Sequence, residues 1–172
     1  MTPEAEVRRL LDQRAIEALL ARYARTLDWL DEEGQASCYW PDAAIDYGFF
    51  AGTAAEFVPV VMGIERAAVR RWHFLGSLAL AFTGDDAAEG ECYGLAAGVR
   101  AGEDGVLAGT LYGGRYLDRF ARRAGEWRIA ARRYVLDWML PLPAQPGDSP
   151  AAAFPLPILS VAAGGHPLYR PM

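Results

Sequence analysis

The chain has 172 residues and a formal net charge of −5, and 52% of its residues are hydrophobic. This profile is typical of one globular domain with a sizeable core and excludes a disordered chain. The basic residues form no run beyond Arg-Arg pairs, so neither nucleic acid nor an anionic membrane is an expected partner.

Several residue types are rare or absent, which narrows the chemistry. There is no lysine, so a Schiff base on a lysine is excluded. The only histidines are His73 and His166, so a metal site with two or three histidine ligands is not expected. Cys38 and Cys92 are too few for a disulfide scaffold and are expected to be reduced. With an acidic N-terminus unlike a signal peptide and no segment of membrane-spanning length, a cytoplasmic protein is predicted.

Residues 2–30 are predicted to be helical. Residues 2–4, Thr-Pro-Glu, are typical of a helix start, with a capping hydroxyl, a first-turn proline and an acid. Apolar residues then recur at helical spacing as far as Leu30. Asp12 can cap a second helix inside this stretch, so the pattern predicts one short and one long helix.

From residue 43 to residue 140 the chain is predicted to form five strands and one helical segment. Residues 43–50 are predicted to form a first strand, and residues 53–72 a helix in two pieces around Gly63. Four further strands are joined by short turns rich in Gly and Asp, which is typical of an antiparallel meander; they span residues 74–82, 89–100, 106–120 and 126–140. This order predicts an α+β domain over residues 1–140, in which N-terminal helices cover one face of a curved antiparallel sheet.

Residues 141–172 differ from the rest of the chain. They hold eight of the eleven prolines, and Asp148 and Arg170 are their only charged residues. The proline density argues against regular structure, yet the segment is too apolar for a solvated linker. We expect an extended tail that packs on its own subunit or on a neighbouring one.

Asp28 and His73 are the first candidates for chemistry. Asp28 borders the apolar stripe of its helix, and Tyr23 borders the other edge, about 140° away. An acid at this position is more often a surface residue, and a lone histidine beside apolar neighbours is more often structural. An imidazole nevertheless titrates near neutral pH, which suits a general base if a carboxylate orients it.

Three further polar residues lie on predicted strands. Tyr47 alternates with Ile45 and Phe49, so its ring is expected to be buried and its hydroxyl to need a partner. Arg132 and Arg133 are adjacent and must face opposite ways, so only one of them can face an enclosed cavity. A buried charge at Arg132 would need a partner.

Aromatic side chains are candidates for the walls of a binding pocket, although an ordinary core position is the alternative for each of them. These candidates are Trp29, Phe49, Phe50, Trp72, Tyr93 and Tyr112.

Several segments together resemble a known family. The chain is similar to the SnoaL-like branch of the nuclear-transport-factor-2-like superfamily in five segments, residues 22–28, 43–48, 113–120, 125–129 and 166–169. Within that branch the chain resembles lyases of the scytalone dehydratase, hexachlorocyclohexane dehydrochlorinase and bile-acid 7α-dehydratase types. The resemblance implies a cone-shaped α+β fold, no cofactor or metal, and a homo-oligomer, with a trimer favoured.

The resemblance also implies site residues. Those lyases use an Asp–His pair, at the end of the long helix and just before the second strand, and Asp28 and His73 fall at those positions. Tyr23, Tyr47 and Arg132 match the bile-acid type. The dehydrochlorinase has a lysine in place of Tyr23, and scytalone dehydratase uses a second histidine that this chain lacks. The bile-acid constellation is therefore the most similar one.

The implied reaction is an elimination from a hydrophobic cyclic or aromatic small molecule. His73 removes a proton, Asp28 orients its imidazole, Tyr23 and Tyr47 donate hydrogen bonds, and Arg132 stabilises developing negative charge. The leaving group is water, or a carbon fragment such as formaldehyde from a lignin-derived aromatic compound. The alternatives are an isomerase of the ketosteroid isomerase kind and a small-ligand-binding module without catalysis.

Overall fold

The computed structural model describes residues 2–146. Its first element is helix α1, Pro3–Asp28. The Thr2 hydroxyl caps this helix by accepting a hydrogen bond from the backbone N–H of Ala5 at 3.3 Å. Among the helices in this part of the chain, none is long and apolar enough to span a membrane.

The predicted helix break at Asp12 is wrong, because α1 runs through this position without interruption. Asp12 is buried, and one of its oxygens accepts hydrogen bonds from the side chains of Arg122 and Trp127, both at 2.8 Å. Its carboxylate therefore ties the middle of α1 to the end of the sheet. These partners lie more than 100 residues away, so local sequence does not reveal them.

A short helix and a β-hairpin follow α1. Helix α2, Glu32–Ser37, is capped by the Asp31 side chain. Strands β1, Tyr39–Asp46, and β2, Ala51–Thr53, pair antiparallel. β1 ends earlier than predicted because the chain turns at Gly48, whose φ of 75° suits glycine. Residues 47–50 therefore form a turn rather than the end of a strand.

Helix α3 connects the hairpin to the meander. It spans Ala54–Arg66 and begins with a capping box formed by Thr53 and Glu56. The prediction of two helical pieces as far as residue 72 is wrong, since α3 is one helix and strand β3, Arg70–Phe82, has already begun. His73 is thus the fourth residue of β3 instead of the residue before it.

The predicted meander is confirmed. Strands β3 to β6 pair antiparallel in succession, and the last three span Ala87–Ala101, Val106–Arg123 and Glu126–Pro146. Between β5 and β6, Ala124 and Gly125 both have positive φ, as expected of a two-residue hairpin turn.

The complete sheet is mixed, which corrects the prediction of a purely antiparallel one. Its six strands are ordered β2-β1-β6-β5-β4-β3. β1 lies against β6 in parallel, with Ile45 opposite Arg132. Ile45 and Arg132 therefore lie side by side on the same face of the sheet, although they are far apart in sequence.

The two faces of the sheet differ in their cover. We call the face that packs on α1 and α3 the inner face; the buried core lies there and includes Leu19, Tyr23, Phe57, Tyr116 and Ile129. The opposite face, which we call the outer face, carries no helix within residues 2–146. Both cysteines are buried, free thiols.

Strand β6 continues past the predicted domain boundary at residue 140. It includes Pro141, Pro143 and Pro146, although the proline density argued against regular structure there. β6 pairs with β1 only as far as Arg133, so the rest of β6 has β5 as its one neighbour among the described strands. An edge strand tolerates proline, which lacks a backbone N–H. The rest of the predicted tail, residues 147–172, lies outside the described residues.

Candidate active site

Asp28 and His73 are in direct contact. Asp28 is the last residue of α1, and this helix packs on β3, where His73 lies. One oxygen of Asp28 lies 2.8 Å from Nδ1 of His73, and its other oxygen accepts the backbone N–H of His73 at 3.2 Å. The side chain of His73 is only 9% exposed. The carboxylate therefore holds both the ring and the backbone of the histidine.

This contact selects one form of the imidazole. An ionised carboxylate only accepts hydrogen bonds, so Nδ1 must carry the proton that Asp28 accepts. In the neutral ring, Nε2 then has a free lone pair and can accept a proton. The arrangement is that of a general base oriented by an acid.

A second carboxylate, which the sequence reasoning missed, lies at the other edge of the ring. Oε1 of Glu65, near the end of α3, is 3.7 Å from Nε2 of His73. Burial raises the pKa of Glu65 above its ordinary value. The only sequence signal was an acid close to the end of a predicted helix, which is an ordinary surface position.

The predicted tyrosines meet in a second cluster. The hydroxyls of Tyr23 on α1 and Tyr47 after β1 are 2.9 Å apart. The rings of Tyr116 and Tyr134 complete the cluster, at 5.6 Å from Tyr23 and 5.4 Å from Tyr47 respectively. Burial raises the pKa of both Tyr23 and Tyr47, so these hydroxyls stay neutral and able to donate.

Arg132 lies beneath these rings and is paired with a buried carboxylate. Its Nε and Nη2 each donate to one oxygen of Asp118 at 2.7 Å, and neither side chain is exposed beyond 1%. Its guanidinium carbon is 4.2 Å from the ring centre of Tyr23 and 4.3 Å from that of Tyr116. Burial by itself lowers the pKa of Arg132, but Asp118 together with Tyr39 and Tyr47 raises it overall, so the group is charged.

The structure distinguishes Arg132 from Arg133. Arg133 is on the outer face, where its side chain is 67% exposed and pairs with Asp46. The partner that a buried Arg132 was expected to need is Asp118. With two of its nitrogens bound to Asp118, Arg132 has Nη1 as its one buried nitrogen without a hydrogen-bond partner among residues 2–146. The prediction that Arg132 directly stabilises developing charge rests on that single atom.

The strand register relates the two clusters. His73 heads a row of facing residues across four strands that continues through Ala96, Tyr112 and Met139. Facing residues share a sheet face, so Tyr112 is on the inner face together with His73. The row that starts at Leu78 continues through Cys92, Tyr116 and Tyr134.

Tyr116 extends from its own row toward the row of His73. A Cβ at Gly94, which faces Leu75 between these rows, would lie only 2.5 Å from the ring of Tyr116. The Tyr116 ring therefore occupies the space above this glycine. The tyrosine cluster and the Asp28–His73 pair are consequently neighbours on one sheet face.

The remaining aromatic candidates are dispersed. Trp72 and Tyr93 are about half exposed on the outer face, because side chains alternate along β3 and β4, so the structure does not bring them to His73. Phe49 is 65% exposed in the turn after β1. Phe50 packs on Phe57 of α3.

Trp29 directly follows Asp28 and is half-buried, with its ring near the guanidinium of Arg25. It is therefore adjacent in sequence to the pair but in contact with its own helix.

A groove of about 440 Å³ runs beside the pair, between α1 and the edge strand β3. Its lining includes His73 together with Leu20, Ala24, Leu75 and Cys92. A larger depression of about 860 Å³ lies between α1 and α2 but contains none of the predicted site residues. In residues 2–146, no three His, Cys, Asp or Glu side chains group as metal ligands.

A comparison with protein families finds a match over most of the chain. The family described as the SnoaL-like domain matches residues 8–133. No curated protein matches the chain at a significant level.

Solved structures share the fold. A provisionally assigned scytalone dehydratase from Novosphingobium aromaticivorans superposes with a TM-score of 0.71 at 20% identity, over 78% of this chain and 90% of that one. A hexachlorocyclohexane dehydrochlorinase, LinA type 2, gives 0.71 at 21% identity, over 80% and 93%. Rv3472, a Mycobacterium tuberculosis protein of unknown function, gives 0.65 at 28% identity, over 80% and 77%.

Proposed function

The chain belongs to the SnoaL-like domain family, and from that premise we propose that it is a cofactor-free lyase acting on a hydrophobic cyclic or aromatic small molecule. The observation that carries the proposal is the contact between Asp28 and His73, with Nδ1 of His73 at 2.8 Å from the carboxylate. This contact prepares Nε2 of His73 to accept a proton.

In the proposed reaction, Nε2 of His73 removes a proton beside an activating group of the substrate. Asp28 keeps the proton on Nδ1 and stabilises the imidazolium that forms. The electrons of the broken C–H bond form a double bond as the leaving group departs. That leaving group is water. In a second form of the reaction, which releases formaldehyde from a lignin-derived aromatic compound, Nε2 instead removes the O–H proton of a hydroxymethyl group. The O–H electrons form the C=O bond of formaldehyde, and the electrons of the broken C–C bond pass to the activating group of the substrate.

The tyrosine cluster supplies hydrogen-bond donors in this scheme. Tyr23 and Tyr47 are neutral and adjacent, which suits donation to a carbonyl or leaving oxygen. Arg132 acts through these rings, because its charge lies against Tyr23 and Tyr116 while Asp118 holds its guanidinium.

The test is a screen of dehydratable and retro-aldol-competent aromatic compounds, read by product mass. A product lighter by one water or by one formaldehyde identifies the leaving group. Asp28→Asn should keep the fold but lower turnover by about 10²–10⁴-fold, since the imidazole loses its orienting charge.

His73→Ala discriminates between the proposal and its alternatives. A carboxylate-based isomerase does not need His73, so near-full turnover in this variant would rule out the proposed elimination. Ligand affinity without any product would favour a binding module. Circular dichroism of both variants controls for loss of fold.

A further inference from the structure

Glu65 faces the reactive edge of His73 and has no role in the scheme above. Its Oε1 lies 3.7 Å from Nε2, whereas Asp28 contacts Nδ1 on the opposite edge of the same ring. The Glu65 side chain is only 13% exposed. Two carboxyl groups therefore flank one imidazole, and each of them faces a different nitrogen of the ring.

The surroundings of Glu65 shift it toward its neutral form. Burial raises its pKa, and the negative charge of Asp28 adds to that rise, while His73 when protonated, Arg71 and Arg100 oppose it without cancelling it. A neutral Glu65 has a proton to donate. A base, Nε2, and an acid, Oε1, then face the same small volume.

We propose that Glu65 is the general acid of the elimination and protonates the leaving oxygen while His73 removes the substrate proton. This proposal rests on the proposed function. The C–H proton goes to Nε2, and its electron pair becomes the new C=C bond. The C–O bond breaks, and the oxygen keeps that electron pair, takes the Glu65 proton and leaves as water.

The short distance between Nε2 of His73 and Oε1 of Glu65 also allows both groups to return to their starting protonation states. After the elimination His73 has gained one proton and Glu65 has lost one. Closing the 3.7 Å separation to hydrogen-bond distance, about 3 Å, lets the proton pass from Nε2 to Oε1. Both residues then return to their starting states without a proton from solvent.

The first test needs no substrate. In ¹³C-labelled protein, the Glu65 carboxyl signal is assigned by its loss in Glu65→Gln and is followed against pH. We expect it to keep its protonated chemical shift to a higher pH than an ordinary glutamate. If it ionises like an ordinary glutamate, Glu65 has no proton to donate at working pH and the proposal is wrong.

The second test compares leaving groups, using a β-hydroxy aryl ketone and its β-acetoxy ester as probes. Water is a poor leaving group that needs an acid, whereas acetate leaves without one. Glu65→Gln should lower kcat for the hydroxy ketone by about 10²-fold or more but leave elimination of acetate within about tenfold of wild type. Glu33→Gln, the same change at an exposed position of α2, is the matched control and should affect neither.

Equal losses on both probes would show that Glu65 only supports the local structure, and no loss on either would show that it is not the acid. Failure of the elimination mechanism itself appears differently. In that case His73→Ala matches wild type on both probes whatever the state of Glu65, and the general-acid role falls with the mechanism.

Discussion

At the scale of single residues, the Arg132–Asp118 ion pair is the most consequential buried contact. Both groups are removed from water, and their two hydrogen bonds of 2.7 Å compensate each other's charge. Such a pair is costly to break, because the remaining charge has no water to solvate it. The pair holds the Arg132 guanidinium in place against the Tyr23 and Tyr116 rings.

Asp118→Asn should therefore destabilise the fold by about 3–5 kcal/mol, since it leaves the Arg132 guanidinium uncompensated. Urea unfolding followed by fluorescence measures the change. Asp42→Asn is the matched control: it breaks an ion pair with Arg123 whose side chains are 66% and 47% exposed, and it should change stability little. Equal effects of the two changes would contradict the importance of burial.

Glu65 shows a limit of sequence reasoning at this scale. Asp28 and His73 were predicted from a helix end, a strand start and a family resemblance. Glu65 meets His73 because the short connection over residues 67–69 brings the end of α3 next to the start of β3. Neither the periodicity of α3 nor its capping box marks that residue. The path of the chain between two elements decides this contact, and the local pattern does not encode that path.

At the scale of elements, glycines on the inner face make room for tyrosine rings. A side chain at Gly94 would collide with Tyr116, whereas a Cβ at Gly98, on the same strand and face, would meet nothing within 4 Å. Gly94 and Gly98 thus differ in whether a side chain packs over the glycine. They form a natural pair for testing whether the tyrosine cluster is closely packed.

Gly94→Ala should cost about 1–3 kcal/mol, because the Tyr116 ring must move. Gly98→Ala should be neutral or stabilise by about 0.4–1 kcal/mol, because it restricts the unfolded chain without a clash. Thermal unfolding of both variants measures the difference. Equal stabilities would show that the Tyr116 ring shifts freely and that the cluster is loosely packed.

The elements themselves were largely predictable. Hairpin turns rich in Gly and Asp located the meander, and the helical spacing of apolar residues located α1 and α3. The sequence predicted that β3 starts at residue 74, four residues later than it does. Because Trp72 and His73 were then outside the predicted strand, the prediction did not show that their side chains point to opposite faces of the sheet. The parallel pairing of β1 with β6 was not predictable, since it joins strands separated by the whole meander.

At the scale of the whole molecule, one region of the outer face is apolar. Phe74 faces Leu95, Gly113 and Trp138 in one row across the sheet, and in the adjacent row Trp72 lines up with Leu140. Four of these side chains, Trp72, Phe74, Trp138 and Leu140, are 44–56% exposed. A contiguous apolar patch of this kind is typical of an interface.

The sequence analysis expects a homo-oligomer, and we predict that further copies of the chain bind to this region of the outer face. Leu140→Glu should then shift the protein toward monomer in sedimentation velocity, because it places charge within the interface. Val60→Glu, on an exposed position of α3, is the control and should leave the assembly unchanged. A monomeric wild-type protein would contradict the proposal.

The prolines near the end of β6 have a consequence for how the protein avoids misassembly. An open strand edge offers free N–H groups to any extended segment, and it is the usual starting point of domain swapping and fibril growth. At Pro141 and Pro143, where β5 is the one neighbour of β6 among the described strands, the backbone has no N–H to offer. Copies of the chain are thereby discouraged from joining edge to edge along this part of β6.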